Sequence, residues 1–368
     1  SYRYRSACTV NHFCHDPVKL QLEISSMCNA MCLGCVRTDQ SNYNHVKECI
    51  PTKKMVSFDT FKKILISPAF GAIDFLDFCG TIDDPLMHPD FFKMLEFAGK
   101  YNSKLSVNIH TNGSLRNTND WRKLAHILNE FTRDHRVLFS IDGLADTNHI
   151  YRQNTDYIKI IKNAAAFIQE GGIAIWQYIV FPWNKHQVEE ARELSKSLGF
   201  ARFDIREDRT SVSEIGLEGI NKRKKRNKKS NGNESTMEEL LKSYTDKNTL
   251  EIKCNNKDKD MYFISHDSRL WPCCFIPNGF FQNNKTKVDF LQQRIYDQYG
   301  KDFNDITVHT VDDILEHDFF MKDLVNSWDK NVGLGPCGKI TRCADTCTVK
   351  RLQENPISTR SKEWLING

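Results

Sequence analysis

Residues 19–35 read KLQLEISSMCNAMCLGC, a predicted strand that leads into three closely spaced cysteines. The strand is predicted over 19–25, and Cys28, Cys32 and Cys35 follow it with the spacing C-x3-C-x2-C. A tight loop with three thiolates on one side can wrap an iron–sulfur cube, because each sulfur binds one iron. Three ligands leave the fourth iron open, and an open coordination position is typical of a catalytic metal centre.

Zinc is the alternative metal for this loop. A zinc site would require a fourth Cys or His nearby, and the nearest downstream histidine is His45. Three unrelated buried thiols at this spacing would be a coincidence. The spacing therefore favours an iron–sulfur cluster over zinc.

Strand and helix signals alternate along residues 17–208, beyond the cysteine loop. Such a repeat implies a parallel sheet with right-handed crossovers. Six units fall short of the eight that close a barrel, so the sequence predicts an α/β fold with a partial (β/α)6 TIM-like barrel, its functional groups at the strand ends. The six predicted strands are 19–25, 72–80, 105–113, 136–143, 173–181 and 200–208. The predicted helices are 57–67, 90–102, 120–131, 156–170 and 187–198.

Composition excludes several classes of protein. With 40% hydrophobic and 27% charged residues, the 368-residue chain is neither disordered nor fibrous. No apolar run approaches the roughly 20 residues of a membrane span. The first residues lack the apolar segment of a secretory signal, so we expect a cytoplasmic protein without membrane contact. The net charge of +4 is too small to identify a partner.

The thirteen cysteines are clustered along the chain. Clustered thiols in a large chain without an export signal indicate metal binding rather than a disulfide framework. The second group lies in the C-terminal part and consists of Cys254, Cys273, Cys274, Cys337, Cys343 and Cys347. The sequence thus predicts a cysteine-rich C-terminal domain that binds metal.

These patterns divide the chain into five predicted segments. They are an N-terminal extension (1–16), the partial barrel (17–210), a basic mobile linker or insertion (211–250), the auxiliary-cluster domain (251–350) and a C-terminal tail (351–368). The linker contains KRKKRNKK at 222–229, which we interpret as a solvated loop. Contact with nucleic acid is the alternative, but no aromatic residues for base stacking lie among the charges.

The cysteine motif, placed after the first strand of a βα repeat, resembles that of the radical S-adenosylmethionine (radical SAM) superfamily. The resemblance implies that S-adenosylmethionine chelates the open iron of a [4Fe–4S] cluster. The second strand ends in CGTIDDP at 79–85, where Asp84-Pro85 stands in place of the family's Glu-Pro. The third strand ends in HTNGS at 110–114, similar to the family's Thr-Asn-Gly, and the fourth ends in SIDG at 140–143.

The resemblance assigns cofactor contacts at these strand ends. Leu33 is expected near the adenine, and polar side chains of the fourth strand near the ribose. Backbone contacts from Gly80 and Thr81 are safer expectations than the Asp84 carboxylate, because Asp replaces Glu there. The expected cofactor-binding residues are Leu33, Gly80, Thr81, Asp84, Thr111, Asn112, Ser140 and Asp142. Taken singly, each is ordinary loop chemistry, since Asn-Gly and Asp-Gly are common turn formers.

The second cysteine group resembles a SPASM domain, or its shortened twitch version. The stretch from Ser268 to Cys273 is similar to the G-x4-C element, with Ser in place of Gly. The resemblance implies one auxiliary [4Fe–4S] cluster, with Cys274 and Cys337 as reserve ligands. A structural zinc site is the alternative. The expected ligands of the auxiliary cluster are Cys254, Cys273, Cys343 and Cys347.

The expected activity follows from the resemblance. A 5′-deoxyadenosyl radical would abstract hydrogen from a peptide or small-metabolite substrate, and a flavodoxin or ferredoxin would supply the electron. The outcome would be an oxidation or, if a thiol such as Cys79 returned a hydrogen atom, an epimerisation; a buried packing role is the alternative for Cys79. An RNA-modifying radical SAM enzyme, or a non-catalytic module that binds zinc and nucleic acid, are the competing hypotheses.

Overall fold

The computed structural model divides the chain by its internal contacts into two compact units. Unit one comprises Ser1–Gln21, Asp59–Asp74 and Asn231–Thr359, and unit two comprises Leu22–Phe58, Phe75–Ser230 and Arg360–Gly368. The residues whose structure is described are 18–70, 73–79, 81–208, 210, 212–224, 251–278, 295–329, 340–348 and 362–365. The predictions for the extension 1–16, Gly80, the basic residues 225–229 and Cys337 lie outside them.

The predicted parallel α/β fold is confirmed. In unit two, β2 to β6 pair in chain order and all in parallel, and β9 adds antiparallel to β6. All six predicted strands are present. The strands are β1 Val18–Leu22, β2 Ile73–Phe78, β3 Ser106–Thr111, β4 His135–Ser140, β5 Ala174–Val180, β6 Arg202–Glu207, β7 Met261–Ile264, β8 Leu270–Trp271 and β9 Lys362–Leu365.

The five helices predicted along residues 17–208 are observed with bounds within two residues of the predicted ones. Asn117 caps α3 reciprocally with Asp120, and α6 ends at Gly199, whose φ of 86° suits glycine. The helices up to α7 are α1 Phe58–Ile66, α2 Phe91–Tyr101, α3 Thr118–Asn129, α4 Asn148–Tyr151, α5 Tyr157–Gln169, α6 Val188–Leu198 and α7 Val212–Lys224. Most of α1 belongs to unit one.

An aromatic layer packs one face of the parallel sheet against its helices. Trp121 of α3 lies 5.0 Å from Phe139 of β4, measured between ring centroids, and Phe139 also contacts Phe167 of α5. All three side chains are buried, as is Trp176 of β5, whose indole donates to the Ile141 carbonyl. Burial of such side chains contributes roughly 1.5–3 kcal/mol each, so this layer holds the strand ends in place.

Two segments differ from their predictions. Residues 212–224, predicted to be part of a mobile linker, form α7, which is interrupted at Gly216 (φ 64°). Val212 and Ile220 of α7 are buried against the cysteine loop's apolar core, and this packing orders the helix. Residues 362–365, predicted to lie in a tail, pair with β6 as β9. A polar or short segment can thus adopt a helix or a strand when the folded chain provides a surface or a strand edge for it to pack against.

Unit one contains a short antiparallel hairpin in which Ile264 of β7 pairs with Leu270 of β8. Ser268 lies in the turn of this hairpin and has a φ of 64°, a conformation that favours glycine. Glycine is the residue that the SPASM G-x4-C element has at this position. The remaining helices are α8 Asn255–Asp258, α9 Phe275–Asn278, α10 Val311–Glu316, α11 Leu324–Asn326 and α12 Thr341–Thr346, with a π-helix at Phe319–Asp323. The predicted domain boundaries differ from the bounds of the contact units and stay predictions.

None of the helices among the described residues combines the length and the apolar character needed to cross a membrane.

Candidate functional site

The cysteine loop is held by the segment that ends α4. The backbone N–H of Met31 donates to the Gln153 carbonyl (3.0 Å), and that of Leu33 donates to the Tyr151 carbonyl (3.3 Å). These bonds lie on either side of Cys32 along the chain. The loop is therefore fixed by main-chain bonds to a segment more than one hundred residues away in sequence.

A buried arginine ties the same loop to the end of β2. The Arg37 guanidinium Nη1 donates to the Ser26 carbonyl at 2.6 Å and to the Ile82 carbonyl at 2.7 Å. Ile82 in turn donates its N–H to the buried Glu23 carboxylate at 2.9 Å. The Ser25 N–H donates to Asp83 at 3.0 Å. The start of the cysteine loop and the turn after β2 thus form one hydrogen-bonded support.

The three thiols of the loop lie beside one another in a largely buried setting. Burial raises the pKa of Cys28 well above its ordinary value, and the nearby Asp84 carboxylate and Cys32 thiol raise it further. Burial likewise raises the pKa of Cys32 to about 11, although the Arg152 guanidinium lowers it. These groups stay protonated at neutral pH unless a metal binds them, since thiolates are the metal-binding form.

The donor set of the cysteine loop suits an iron–sulfur cube. A cube binds each of its thiolates through a different iron, so its ligands need not converge on one point. Three thiols spaced around one loop meet that requirement.

A buried ion pair borders the cysteine loop. Arg152 Nε lies 2.6 Å from Asp142 Oδ2, and Arg152 Nη1 lies 3.5 Å from Cys32 Sγ. Asp142 Oδ1 accepts the Ile179 N–H at 2.7 Å, so both carboxylate oxygens have partners. The Asp142 side chain is 0% exposed. This carboxylate holds Arg152, and its expected contact with the ribose stays a prediction.

A second network joins the ends of β2 and β3. The Asp84 carboxylate accepts hydrogen bonds from the Thr111 hydroxyl (2.8 Å), the Asn112 N–H (2.9 Å) and the Asn112 side-chain amide (2.8 Å). The same amide lies 3.9 Å from Cys28 Sγ. Gly113, with a φ of 75°, makes the turn that brings Asn112 back toward Asp84. Asp84 therefore positions Asn112 beside the cysteine loop.

Solved structures match the fold of this chain. Streptococcus suis SuiB bound to S-adenosylmethionine matches with a TM-score of 0.50 at 15% identity, over 84% of this chain and 66% of SuiB. The structure of anSMEcpe with bound AdoMet also gives 0.50, at 14% identity, over 89% of this chain and 94% of anSMEcpe. The chain has the radical SAM fold.

The likeness to the radical SAM fold is structural only. No protein-family model and no curated protein sequence matches the chain. The chain spans just under two thirds of SuiB's length. SuiB has also been solved with precursor peptide SuiA (TM-score 0.48, 14% identity, over 75% of this chain and 64% of SuiB).

In this radical SAM fold, several predicted cofactor residues lie at the strand ends as expected. Thr81 follows β2, and Ser140 ends β4; both are half-buried. Thr111 and Asn112 end β3 and meet at Asp84. Their contacts with S-adenosylmethionine stay predictions. Asp84 was expected to contact the cofactor. It is only 2% exposed, and its carboxylate accepts the hydrogen bonds from Thr111 and Asn112, so we assign it the role of positioning Asn112.

Cys79, the predicted hydrogen donor, directly follows β2. Its Sγ lies 3.9 Å from the Leu22 carbonyl and 3.8 Å from the Thr81 hydroxyl, and the side chain is half-buried. The position at a strand end agrees with the prediction. Its role as a donor stays a prediction.

Leu33, the predicted adenine contact, lies in the apolar core behind the cysteine loop. Its side chain is fully buried with Tyr151, Phe181 and Trp183. The neighbouring Gly34 faces Thr210 so closely that a Cβ on Gly34 would overlap the Thr210 side chain. Leu33 therefore anchors the loop, and its contact with adenine stays a prediction.

The buried Asp84 carboxylate predicts a pH dependence of the metal-free protein. Burial raises its pKa to about 6, against the lowering effect of the hydrogen bonds from Asn112 and Thr111. A raised folded-state pKa gives stability that is complete below the unfolded-state pKa of 3.8 and is lost as the pH rises through about 6. The free energy of unfolding of wild type relative to Asp84→Asn should therefore fall by about 2 kcal/mol between pH 4.5 and 7.

Urea unfolding of the two metal-free proteins across this pH range measures that difference. Asp83, whose pKa burial also raises, is present in both proteins, so most of its contribution cancels. The Asp84 carboxylate raises the pKa of Asp83 further, which adds to the fall expected for wild type. A difference that grows with pH would show that the hydrogen bonds to Asp84 outweigh its burial.

In unit one, the four predicted auxiliary ligands lie on segments that contact one another. The Cys347 N–H donates to the Cys343 carbonyl at 2.9 Å, so the two residues share one helical turn. The Lys253 N–H donates to the Cys347 carbonyl at 2.7 Å, which places Cys254 beside this turn. Burial raises the pKa of the Cys273 thiol, and nearby Cys274, Cys343 and Cys254 raise it further.

The β7–β8 hairpin explains how Cys254 and Cys273 meet. Cys254 precedes α8 and Cys273 follows β8, and the Asn256 amide reaches the Pro272 carbonyl at 3.3 Å. Cys273, Cys343 and Cys347 are buried, whereas Cys274 is half-buried. The auxiliary cluster and its SPASM or twitch character stay predictions.

Three contributions to the site were missed from sequence. They are the Arg152 contact with Cys32, the Asp83–Glu23 support and the Thr210 contact with Gly34. Asp208 accepts from both the N–H (2.7 Å) and the hydroxyl (2.6 Å) of Thr210, which fixes this contact. The doubled acid at 83–84 and the Asp-x-Thr after β6 were visible signals. The Arg152 contact had none, because only tertiary structure places it at Cys32.

Proposed function

We propose that this chain is a radical SAM enzyme whose Cys28, Cys32 and Cys35 hold a [4Fe–4S] cluster with S-adenosylmethionine at the open iron. The observation that carries the proposal is the position of these thiols. They share one fixed loop beside the ends of β2 and β3, and the Asp84-positioned amide of Asn112 lies 3.9 Å from Cys28 Sγ. Polar groups and metal ligands at the carboxyl ends of parallel strands are where ligands bind in such folds.

The chain's own residues would hold the cofactors, exclude water and place charge. When bound, the cluster and S-adenosylmethionine supply hydrogen-atom abstraction. The apolar core behind the loop, with Tyr151, Phe181 and Trp183 stacked in sequence, shields the cysteine loop from solvent on that side. Ser140 and Thr81 are the half-buried polar groups at strand ends that we propose for binding S-adenosylmethionine.

We propose a peptide as the substrate, in preference to a small metabolite. Support comes from SuiB, which has been solved with precursor peptide SuiA, and from anSMEcpe, which has been solved with the Kp18Cys peptide. An auxiliary [4Fe–4S] cluster held by Cys254, Cys273, Cys343 and Cys347 would accept the substrate electron, which favours a net oxidation over an epimerisation. The external electron donor would be a flavodoxin or a ferredoxin.

Anaerobic reconstitution with iron and sulfide tests the activity. We expect about eight iron atoms per chain, the content of two such clusters. Dithionite and S-adenosylmethionine should then yield 5′-deoxyadenosine. Iron uptake without 5′-deoxyadenosine, or zinc as the metal of the purified protein, would contradict the proposal and favour the non-catalytic hypothesis.

The substrate class is tested by stimulation of the same reaction. A panel of peptides that includes SuiA and Kp18Cys is compared with a panel of small cyclitols and sugars. We expect at least one peptide to raise 5′-deoxyadenosine formation above the rate without substrate. Deuterium transfer from a labelled peptide into 5′-deoxyadenosine would establish hydrogen abstraction. Stimulation by the small molecules alone would contradict the peptide assignment while leaving the radical SAM activity intact.

A further inference from the structure

The guanidinium of Arg152, a charged group of unit two, contacts a proposed cluster ligand. Its Nη1 lies 3.5 Å from Cys32 Sγ, within the range of a hydrogen bond to sulfur. Its side chain is only 16% exposed, so water screens its charge weakly. A fixed positive charge therefore lies next to a sulfur that would bind iron.

The position of Arg152 is set by the fold on three sides. The Asp142 carboxylate accepts its Nε at 2.6 Å, and that carboxylate is itself held by the Ile179 N–H. On either side of Arg152 in sequence, the Tyr151 and Gln153 carbonyls accept main-chain hydrogen bonds from the cysteine loop. The guanidinium and the loop thus keep one relative position, and a merely steric filler would need neither the charge nor the carboxylate.

Such a contact has a defined electrostatic consequence. Hydrogen bonds to the sulfurs of an iron–sulfur cluster, and positive charge near it, favour the reduced form, which carries one more negative charge. Asp142 opposes this effect, but it pairs with Nε of the guanidinium, whereas Nη1 reaches Cys32, and Arg152 acts on the Cys32 thiol more strongly than Asp142 does. The guanidinium is therefore the nearer charge and determines the sign.

We propose that Arg152 is a positioning residue that raises the reduction potential of the cluster through Cys32, so that a reductant of the cell can deliver the single electron the cluster takes up. This inference rests on the proposed function, because it requires a cluster at Cys28, Cys32 and Cys35. The electron comes from a flavodoxin or ferredoxin, which is oxidised as the cluster is reduced. No other atom is transferred in this step.

The test is a redox titration of the reconstituted protein with dithionite, followed by electron paramagnetic resonance without substrate. The auxiliary ligands Cys343 and Cys347 are replaced by alanine in all samples, so that one cluster is observed. In Arg152→Gln, we expect the equilibrium constant for reduction to fall about tenfold, which is a midpoint about 59 mV more negative for one electron. Arg152→Lys keeps the charge without the planar fork, so its shift should be smaller.

Arg202→Gln is the matched control. Arg202 forms a buried ion pair with Asp204, with Nε–Oδ1 at 2.6 Å and Nη2–Oδ2 at 2.9 Å. This pair lies at the amino-terminal start of β6, whereas the cysteine loop lies at the carboxyl ends of the strands. The reduction potential of the cluster in Arg202→Gln should equal that in the parent protein. An unchanged potential in Arg152→Gln, or an equal shift in Arg202→Gln, overturns the proposal.

Cluster loss in both Arg152→Gln and Arg152→Lys would make Arg152 a structural support of the loop and would also overturn it. If the parent protein, with Arg152 intact, takes up no cluster, the proposed function fails instead. The two failures are therefore distinguishable.

Discussion

Replacing Cys28, Cys32 and Cys35 together by alanine is expected to abolish 5′-deoxyadenosine formation while about four of about eight iron atoms remain bound. The three thiols lie in unit two, and the predicted auxiliary ligands lie in unit one. Each set should therefore bind its iron separately. Iron analysis and chromatography of the reaction products measure the two results on the same sample.

Cys49→Ala is the control for this triple variant. Cys49 is exposed and lies outside the C-x3-C-x2-C motif, although it belongs to the same unit. It should retain full iron and full 5′-deoxyadenosine formation. If the triple variant loses all of its iron, the assignment of two separate clusters is wrong.

The second large effect is expected in unit one. Replacing Cys343 or Cys347 by alanine should remove about four iron atoms, the content of one cluster, and lower the stability of that unit. Both thiols are buried on one helical turn, and Lys253 bonds the end of that turn beside Cys254. Metal binding supplies folding free energy to a small cysteine-rich module, so loss of the cluster should appear as a lower melting temperature.

Cys274→Ala distinguishes the ligands from their neighbour. Cys274 is half-buried beside Cys273, and we expect this variant to keep its iron. A Cys343 or Cys347 variant with full iron would move the ligand role to Cys274 or Cys337. Spectroscopic signs of an iron with only three cysteine ligands would indicate substrate binding at the auxiliary cluster and would contradict its role in electron transfer.

The sequence alone determined the parallel core of the fold and the identity of its candidate metal ligands. Four of the six predicted strands have bounds within two residues of the observed ones, because apolar runs and glycine or asparagine stops are local signals. β4 ends three residues earlier than predicted, at Ser140. β1 ends three residues earlier than predicted, at Leu22. The cysteine spacing is likewise local: thiols three or four residues apart share one loop in any fold.

Tertiary structure decided which groups surround that loop. Arg152 and Cys32 are 120 residues apart, and no local pattern predicts their contact. Asp84 and Asn112 were both identified from sequence, but their mutual hydrogen bonds arise only because β2 and β3 pair in parallel. Whether a polar group serves a ligand or a neighbour depends on burial, and burial is a property of the packed chain.

The same reason explains the two segments that the sequence misassigned. Residues 212–224 are polar enough to indicate a linker, and they are ordered by the burial of Val212 and Ile220 against the core of the cysteine loop. Residues 362–365 become a strand because β6 offers an edge with which to pair. The sequence determined the residues that can bind a cluster, whereas the packing of distant segments determined the charge and hydrogen bonds around it, since those contacts exist only after the chain has folded.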